Sequence, residues 1–383
     1  MVEKQKPKVL MLQRIFPIYR KPIYDSLAES YNFLLLHGKN DSGIHQIQTS
    51  YCQTVKSFQY SKNPTHVIFE SFSYLWKCKP KVVIHEFAVG VLSLIPMYVC
   101  CKLLRVKFIL YSHGYNRTKG FYPDTVWADK YRMFLMKLAD AVVIYTKSDK
   151  QKLGQYIDDN KIFVAQNTLD RTQFLTIKNS LEQEGKDQVK HRLGFTHKYN
   201  LIFIGRMLKE KMPEKLLEIY EILNPILPNK IGIHFVGGGD IAHLQALVNK
   251  NNWQTAVKFY GAIYDDAKTG EMLFASDLLI APNYMGLSVN HAFLFNCPVV
   301  TFAENNLINH GPEIEYVVND ETGFVIPDVS VEHMANAVIN YLENETLQLK
   351  MKNNIKRKME TELTIDNMVK GFTDAVSFTL RTK

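Results

Sequence analysis

The sequence predicts an α/β protein made of two doubly wound, Rossmann-like domains, one following the other along the chain. Three observations carry that expectation. Short apolar runs alternate with longer amphipathic ones in both halves, as where "PKVLML" is followed by "PIYDSLAESYN". The strand-like runs are continuously apolar rather than alternating, which is the pattern of a sheet covered on both faces. The cycle then restarts at "LIFIGR" after a polar, helix-prone stretch at 177–200. Strand–helix alternation of this kind builds parallel sheets. At 383 residues the chain is long enough for two domains of roughly 150–200 residues each.

In the first half, "PKVLML", "FLLLHG", "KVVIHE", "KFILYSHG", "AVVIYT" and "KIFVAQN" read as strands, with apolar helices over 91–104 and 129–139. The stretch "THVIFESFSYLWKCKP" holds an element that reads equally as strand or helix. In the second half the strands are "LIFIGR", "IGIHFVGGGD", "VKFYGA", "LLIAPN", "PVVTF" and "GFVIP", with "PEKLLEIYEILNPIL" and "IAHLQALVNKNN" as helices. This places an N-terminal domain at 1–175 and a C-terminal domain at 176–383. The linker falls near the start of the polar stretch, and the last helix is a candidate to pack back on the first domain.

Composition narrows the function classes. A hydrophobic share of 46% suffices for packed cores and argues against disorder. The N-terminus runs from charges straight into a strand, without the apolar core of a signal peptide. The most apolar segment, 87–104, contains Gly90 and Pro96 and reads as a buried helix rather than a membrane span of about 20 apolar residues. Five cysteines show no metal-ligand spacing, and their odd number with an adjacent pair suits a reducing, cytoplasmic compartment. No metal and no cofactor is expected.

Charge is unevenly distributed. Residues 1–175 carry 25 Lys and Arg against 13 Asp and Glu, whereas the remainder carries 21 against 25. A basic first half suggests an anionic surface or substrate facing it, an anionic membrane or lipid-linked phosphate above all. No basic helix with interleaved aromatics points to nucleic acid. Ordinary solubilising charge explains the same imbalance without a partner.

In open α/β sheets ligands bind outside the carboxyl ends of the strands, so the candidate residues are those that end strands. Gly205, Arg206 and Lys211 bring two cations to a helix start, which suits a diphosphate; a solvated lysine-rich turn is the plainer account. Gly238 and Gly239 in "VGGGD" would let backbone approach a ligand, or simply turn a strand into a helix. The stretch "NYMGLSVNHAF" places Asn283, Met285, Gly286, Leu287, Ser288 and His291 between a strand and a helix, where the amides of Gly286, Leu287 and Ser288 could point at an anion. In the first domain, His113 ends a strand beside Gly114. Glu86, with His85 before it, ends another, and Arg14 and Arg20 flank the first loop as candidates to meet an anionic acceptor. Walker loops, His-Glu-x-x-His, paired CxxC and G-x-S-x-G are absent from the sequence.

Together these pieces resemble the family 4 glycosyltransferases of the GT-B fold over essentially the whole chain. Gly205, Arg206 and Lys211 match that family's Gly-Arg and following lysine. "VGGGD" and "VKFYGA" match its glycine loop and next strand, and Gly286, Leu287, Ala292 and "PVV" at 298–300 match its donor loop. His113 falls on the family's pocket histidine, and "QNTLDRTQF" resembles its linker motif. The family usually carries two glutamates in the donor loop, where this chain has Asn283 and His291; Glu313 and Glu315 are candidates to supply that acidity. "LQRIFPIYR", "GLSVNHAF" and "HGPEIE" resemble the branch associated with bacterial surface-polysaccharide assembly.

The resemblance implies a retaining, metal-independent transfer of a hexose-type sugar from a nucleotide sugar. The acceptor would be a saccharide, free or polyprenyl-diphosphate-linked, used at the inner face of the plasma membrane. Arg206 and Lys211 would stabilise the departing diphosphate, and His113 would position donor sugar or acceptor within a cleft between the domains. The rival readings are a GT-B sugar-nucleotide epimerase and a non-catalytic sugar-nucleotide or glycan-binding protein.

Overall fold

The computed structural model of the protein describes residues 6–38, 47–60 and 67–382. Residues 1–5 of the N-terminal segment, and the beginning of the "THVIFESF" stretch, lie outside the described residues. The chain forms two compact units, one of residues 1–167 with 365–383 and one of residues 168–364. Residue 175, where the sequence reading divides the chain, falls inside the helix Thr172–Glu184.

The strands of the first unit are β1 (Lys8–Gln13), β2 (Asn32–His37), β3 (Cys52–Thr54), β4 (Ser57–Gln59), β5 (Val67–Phe69), β6 (Val82–Glu86), β7 (Lys107–Tyr111), β8 (Ala141–Ile144) and β9 (Ile162–Val164). Seven of them form a sheet in the order β3-β2-β1-β6-β7-β8-β9, while β4 and β5 make a separate antiparallel ribbon. All pairings in the larger sheet are parallel. The ambiguous stretch resolves into both types of element: the short β5 and then the helix Ser73–Cys78.

Alternation of side chains along a strand explains why these runs are apolar throughout. Leu10, Leu12, Val83, Phe108 and Leu110 enter one core, together with Met97 and Cys101 of the helix Leu94–Leu103 and Met133 and Met136 of the helix Trp127–Leu138. Val9, Met11, Val82, Ile84, Ile109 and Tyr111 enter the opposite core. That second face is covered by the helix Lys21–Ser30 and by Met368, Phe372, Ala375 and Val376 of the C-terminal helix Ile365–Arg381. Each large apolar side chain so buried contributes about 1.5–3 kcal/mol.

Gly371 shows how close that last helix lies. A Cβ there would collide with the Val164 carbonyl oxygen and stand 2.8 Å from Ala165 Cα. Arg20 is part of the same packing. It is buried, its Nη1 donating to Tyr111 Oη at 3.0 Å and its Nη2 to Tyr145 Oη at 3.1 Å.

The second unit contains β10 (Tyr199–Ile204), β11 (Ile231–Val236), β12 (Val257–Phe259), β13 (Leu278–Ile280), β14 (Val299–Phe302) and β15 (Gly323–Ile326). They form a parallel sheet in the order β12-β11-β10-β13-β14-β15. Leu201, Phe203, Ile233 and Phe235 face one core with the helices Glu214–Ile226 and Val331–Glu343. Ile202, Val236, Leu279 and Val299 face the other. The polar stretch expected to open with a linker forms the helices Thr172–Glu184 and Lys186–Leu193, whose Leu181 and Val189 join that second core. The strand order reverses direction beside β10, so β10, β11 and β13 end at a topological switch point, where open α/β sheets bind ligands.

Candidate active site

In the second unit, β10 ends at Ile204 and the chain turns through Gly205 and Arg206. The neighbouring β11 is followed by Gly237, whose Cβ would overlap the Gly205 carbonyl, so the two loops meet backbone to backbone. Their amides are tied together: Gly205 N donates to Val236 O at 2.9 Å and Met207 N donates to Gly238 O at 2.8 Å. A Cβ on Gly239 would lie 2.9 Å from Met207 O. Gly237 and Gly239 are therefore accounted for by the approach of these loops, whereas a Cβ on Gly238 would meet only Ala262 Cβ at 3.4 Å.

Arg206 is exposed at this turn, and among the described residues no carboxylate pairs with it. Lys211 follows after a short 3-10 turn and folds back beside Gly205. Its Nζ donates to the Tyr284 carbonyl at 2.7 Å, bridging the first strand-end loop to the one after β13. Burial and then the Arg206 charge lower its pKa from the ordinary lysine value, with Glu210 opposing. Two cations thus share one strand-end corner with no carboxylate between them.

The loop after β13 is held from below. Asn283 is buried, and its Oδ1 accepts from Tyr284 N at 2.9 Å and from Asn309 N at 2.8 Å, while its Nδ2 donates to Leu307 O at 3.3 Å. All three of these bonds are internal, so the amide serves as a clamp between the 283–285 and 305–309 loops. Met285 is buried, and its carbonyl accepts from Gly311 N at 2.8 Å. Buried His310, which the sequence reading passed over, lies beneath the same loop, with Nε2 2.9 Å from Phe302 O. Gly286 and Leu287 lead into the helix Ser288–Leu294. The buried Glu313 carboxylate lies against this loop, since a Cβ on Gly286 would stand 3.8 Å from its Oε2. Glu315 is half-buried on the same 3-10 turn.

His291 sits elsewhere on its helix than Asn283 on its loop. Its ring packs edge-on against Phe174 at 5.0 Å, with Nε2 3.7 Å from the Asp266 carboxylate. Burial lowers its pKa, and Asp266 opposes the shift.

In the first unit, β6, β7 and the loops after them surround a cavity of about 340 Å³ lined by Arg14, Ser112, His113, Asn116, Lys119 and Arg132, among others. Glu86 lies behind it. Its carboxylate accepts from Arg14 N and Arg14 Nε at 2.7 Å each, and pairs with Nη2 as well. Burial alone would raise the Glu86 pKa, but the adjacent Arg14 guanidinium and its hydrogen bonds hold it below the ordinary value.

His113 is exposed at the cavity, its ring 4.6 Å from that of Tyr145, while protein packs closely around its other sides. That packing, then the charges of Arg117 and Arg20, lower its pKa and keep the imidazole neutral near pH 7. Arg117 is fixed by Asp149 at 2.6 Å, and Asp149 is placed by Thr146, whose Oγ1 accepts from Asp149 N at 3.0 Å at the helix start. Arg14 and His113 thus share one cavity, with Glu86 immediately behind, whereas Arg20 belongs to the core on the other face of the sheet. Among the described residues no cluster of His, Cys, Asp and Glu is arranged to hold a metal ion.

Residues 186–358 match the family described as "Glycosyl transferases group 1". The fold is of the GT-B type, and most of the second unit is similar in sequence to the group 1 glycosyl transferases, as the sequence resemblance implies at that level. Among individual proteins, the uncharacterized glycosyltransferase MJ1069 of Methanocaldococcus jannaschii is 27% identical over 243 residues. That match covers 62% of this chain and 57% of the relative, so the chain spans little more than half of the relative's length. A glycosyltransferase of Rickettsia africae superposes with a TM-score of 0.71 at 16% identity, covering 99% of this chain and 100% of that one. Anabaena HepE, solved in complex with UDP, superposes with a TM-score of 0.68 at 13% identity over 97% of this chain and 99% of that one.

Proposed function

We propose that the protein is a glycosyltransferase that moves a sugar from a nucleotide-sugar donor to a saccharide acceptor, retaining the anomeric configuration and using no metal. The observation that carries this reading is the corner formed by Arg206 and Lys211, two cations in no ion pair among the described residues, at the ends of β10 and β13. As the bond from the anomeric carbon to the diphosphate breaks, its electron pair leaves with the diphosphate. Fixed cations at that point stabilise the growing charge without reorganising. The acceptor hydroxyl oxygen forms the new bond to the anomeric carbon, and its proton passes to the departing diphosphate oxygen, which lies on the same face when configuration is retained. In the first-unit cavity, neutral His113 is suited to orient a hydroxyl through one ring nitrogen.

HepE's complex with UDP makes UDP-sugars the first donors to test. The experiment is nucleoside diphosphate release from UDP-, GDP- and ADP-sugars, with and without saccharide acceptors, by the native chain and by Arg206→Ala. Acceptor-dependent release that falls in the variant supports transfer. Formation of an isomeric sugar nucleotide without acceptor would replace this reading with an epimerase. Asn283, whose amide is bonded within the protein, favours a second reading as a non-catalytic binder, and donor binding without release under any acceptor would establish it.

We further read the protein as peripheral on the cytoplasmic face of a membrane, working on a lipid-linked acceptor in surface-polysaccharide assembly. No helix among the described residues is long and apolar enough to cross a membrane. The crossovers from β6 to β7 and from β7 to β8 step in the same direction, so right-handed connections put both helices on one face of the sheet. That face exposes Leu92, Ile95, Val99 and Leu103 (79% exposed) at helical spacing, and Trp127 (70%) with Phe134 between Lys130 and Lys137. Apolar and aromatic side chains interleaved with lysines suit an anionic bilayer surface. Co-sedimentation with phosphatidylglycerol-containing vesicles is expected to fall several-fold in a Leu103→Asp, Trp127→Ala variant; equal sedimentation with purely zwitterionic vesicles would remove the electrostatic part.

A further inference from the structure

The first-unit cavity is built differently from a pocket for a neutral sugar. Among the described residues none of the side chains lining it is acidic, while three of them, Arg14, Lys119 and Arg132, are cationic. Two of these are fixed from outside the cavity. Glu86 grips Arg14 through two side-chain nitrogens and the backbone amide. Asp129, almost wholly buried, pairs with Arg132 Nη1 and is itself held by Tyr122 N at 2.9 Å. Lys119 is exposed and has no carboxylate partner among the described residues. The remaining donors of Arg132 likewise meet no protein acceptor among them. A guanidinium held by a carboxylate behind it keeps its outward N–H groups aimed, so little rotamer freedom is lost when an oxyanion arrives.

We propose that this cavity binds an anionic saccharide, with Lys119 and Arg132 holding its phosphate or carboxylate group and His113 and Asn116 facing its hydroxyls. Neutral His113 adds no competing charge and can donate or accept one hydroxyl bond. That this saccharide is the acceptor of transfer rests on the reading given above; the ligand class does not.

Isothermal titration of the full chain with glucose, glucose 6-phosphate, glucuronate and inorganic phosphate, at low and at physiological salt, tests the proposal. At least one anionic sugar is expected to bind about tenfold or more tighter than glucose, less so at higher salt. Comparing the phosphate and carboxylate sugars identifies which oxyanion is preferred. Lys119→Gln is expected to weaken that binding about five- to tenfold, with Arg206→Ala leaving it unchanged. Glucose binding as tightly as the anionic sugars overturns the proposal, as does insensitivity to Lys119→Gln. Loss in Arg206→Ala alone would put the anion in the second unit and also overturn it. Inorganic phosphate binding as well as glucose 6-phosphate would remove the saccharide from the assignment. Retained, Lys119-dependent binding in a protein that releases no nucleoside diphosphate would cancel the acceptor role and leave the ligand class standing.

Discussion

In the first unit Arg14, Arg117 and Arg132 each reach a carboxylate, Glu86, Asp149 and Asp129 respectively. In the second, Arg206 and Lys211 form no ion pair with a carboxylate among the described residues, and Lys211 Nζ bonds a backbone carbonyl. The difference separates two uses of a cation. One paired with a buried acid is part of the folded framework, and its remaining N–H groups are held in a set direction. One left bare contributes little to folding and keeps its full charge for an anion that arrives later.

The comparison is broken most directly at the bare pair. Arg206→Ala should lower nucleoside diphosphate release by about 10²–10³-fold, the scale for losing one stabilising donor of a developing anion. Its thermal midpoint should move by no more than about 2 °C, because exposed residues without partners seldom affect stability. A large fall in midpoint would show that Arg206 belongs to the framework after all.

Asp149→Asn should behave in the opposite way. It removes the carboxylate 2.6 Å from the Arg117 guanidinium, at a cost of about 3–5 kcal/mol in chemical denaturation, the scale for breaking a buried ion pair. A loss below about 1 kcal/mol would place this pair with ordinary surface ion pairs.

Asn283 sharpens the contrast at a smaller scale. Asn283→Ala leaves the amides of Tyr284 and Asn309 without their acceptor and should cost about 1–3 kcal/mol. Asn283→Asp keeps the oxygen and should recover most of that stability. If instead both variants keep native stability and lose donor binding alike, the side chain touches the sugar and is no clamp.

These residues also mark how far the sequence was readable. Strands buried on both faces left uninterrupted apolar runs, so β1, β6, β7, β8, β10 and β11 were legible, and with them the strand-end positions of His113, Gly205 and Arg206. The ordered spacing of Gly205, Arg206, Lys211, Gly286 and Leu287 carried the family resemblance. What stayed hidden depends on distant partners. Arg14 and Arg20 look equivalent in "QRIFPIYR", yet one lines a cavity and the other is enclosed by Tyr111 and Tyr145 from later strands. Lys119 and Arg132 have no motif of their own, because a loop and a helix bring them to the cavity together. His310 and Asn283 hold loops through backbone contacts that leave no periodic trace. The short β3, β4 and β5, at three residues each, are below the length at which periodicity speaks.

The helix Ile365–Arg381 has a consequence for how the protein comes into being. The sheet face formed by Val9, Met11, Val82 and Ile84 is finished only by a segment that the ribosome produces after the whole of residues 168–364. Domains ordinarily complete themselves in the order of synthesis. Here the first unit must wait, with an apolar flank uncovered, while the second is translated and free to fold. A nascent chain halted before Ile365 would therefore carry its exposed, chaperone-seeking surface at the end that was made first.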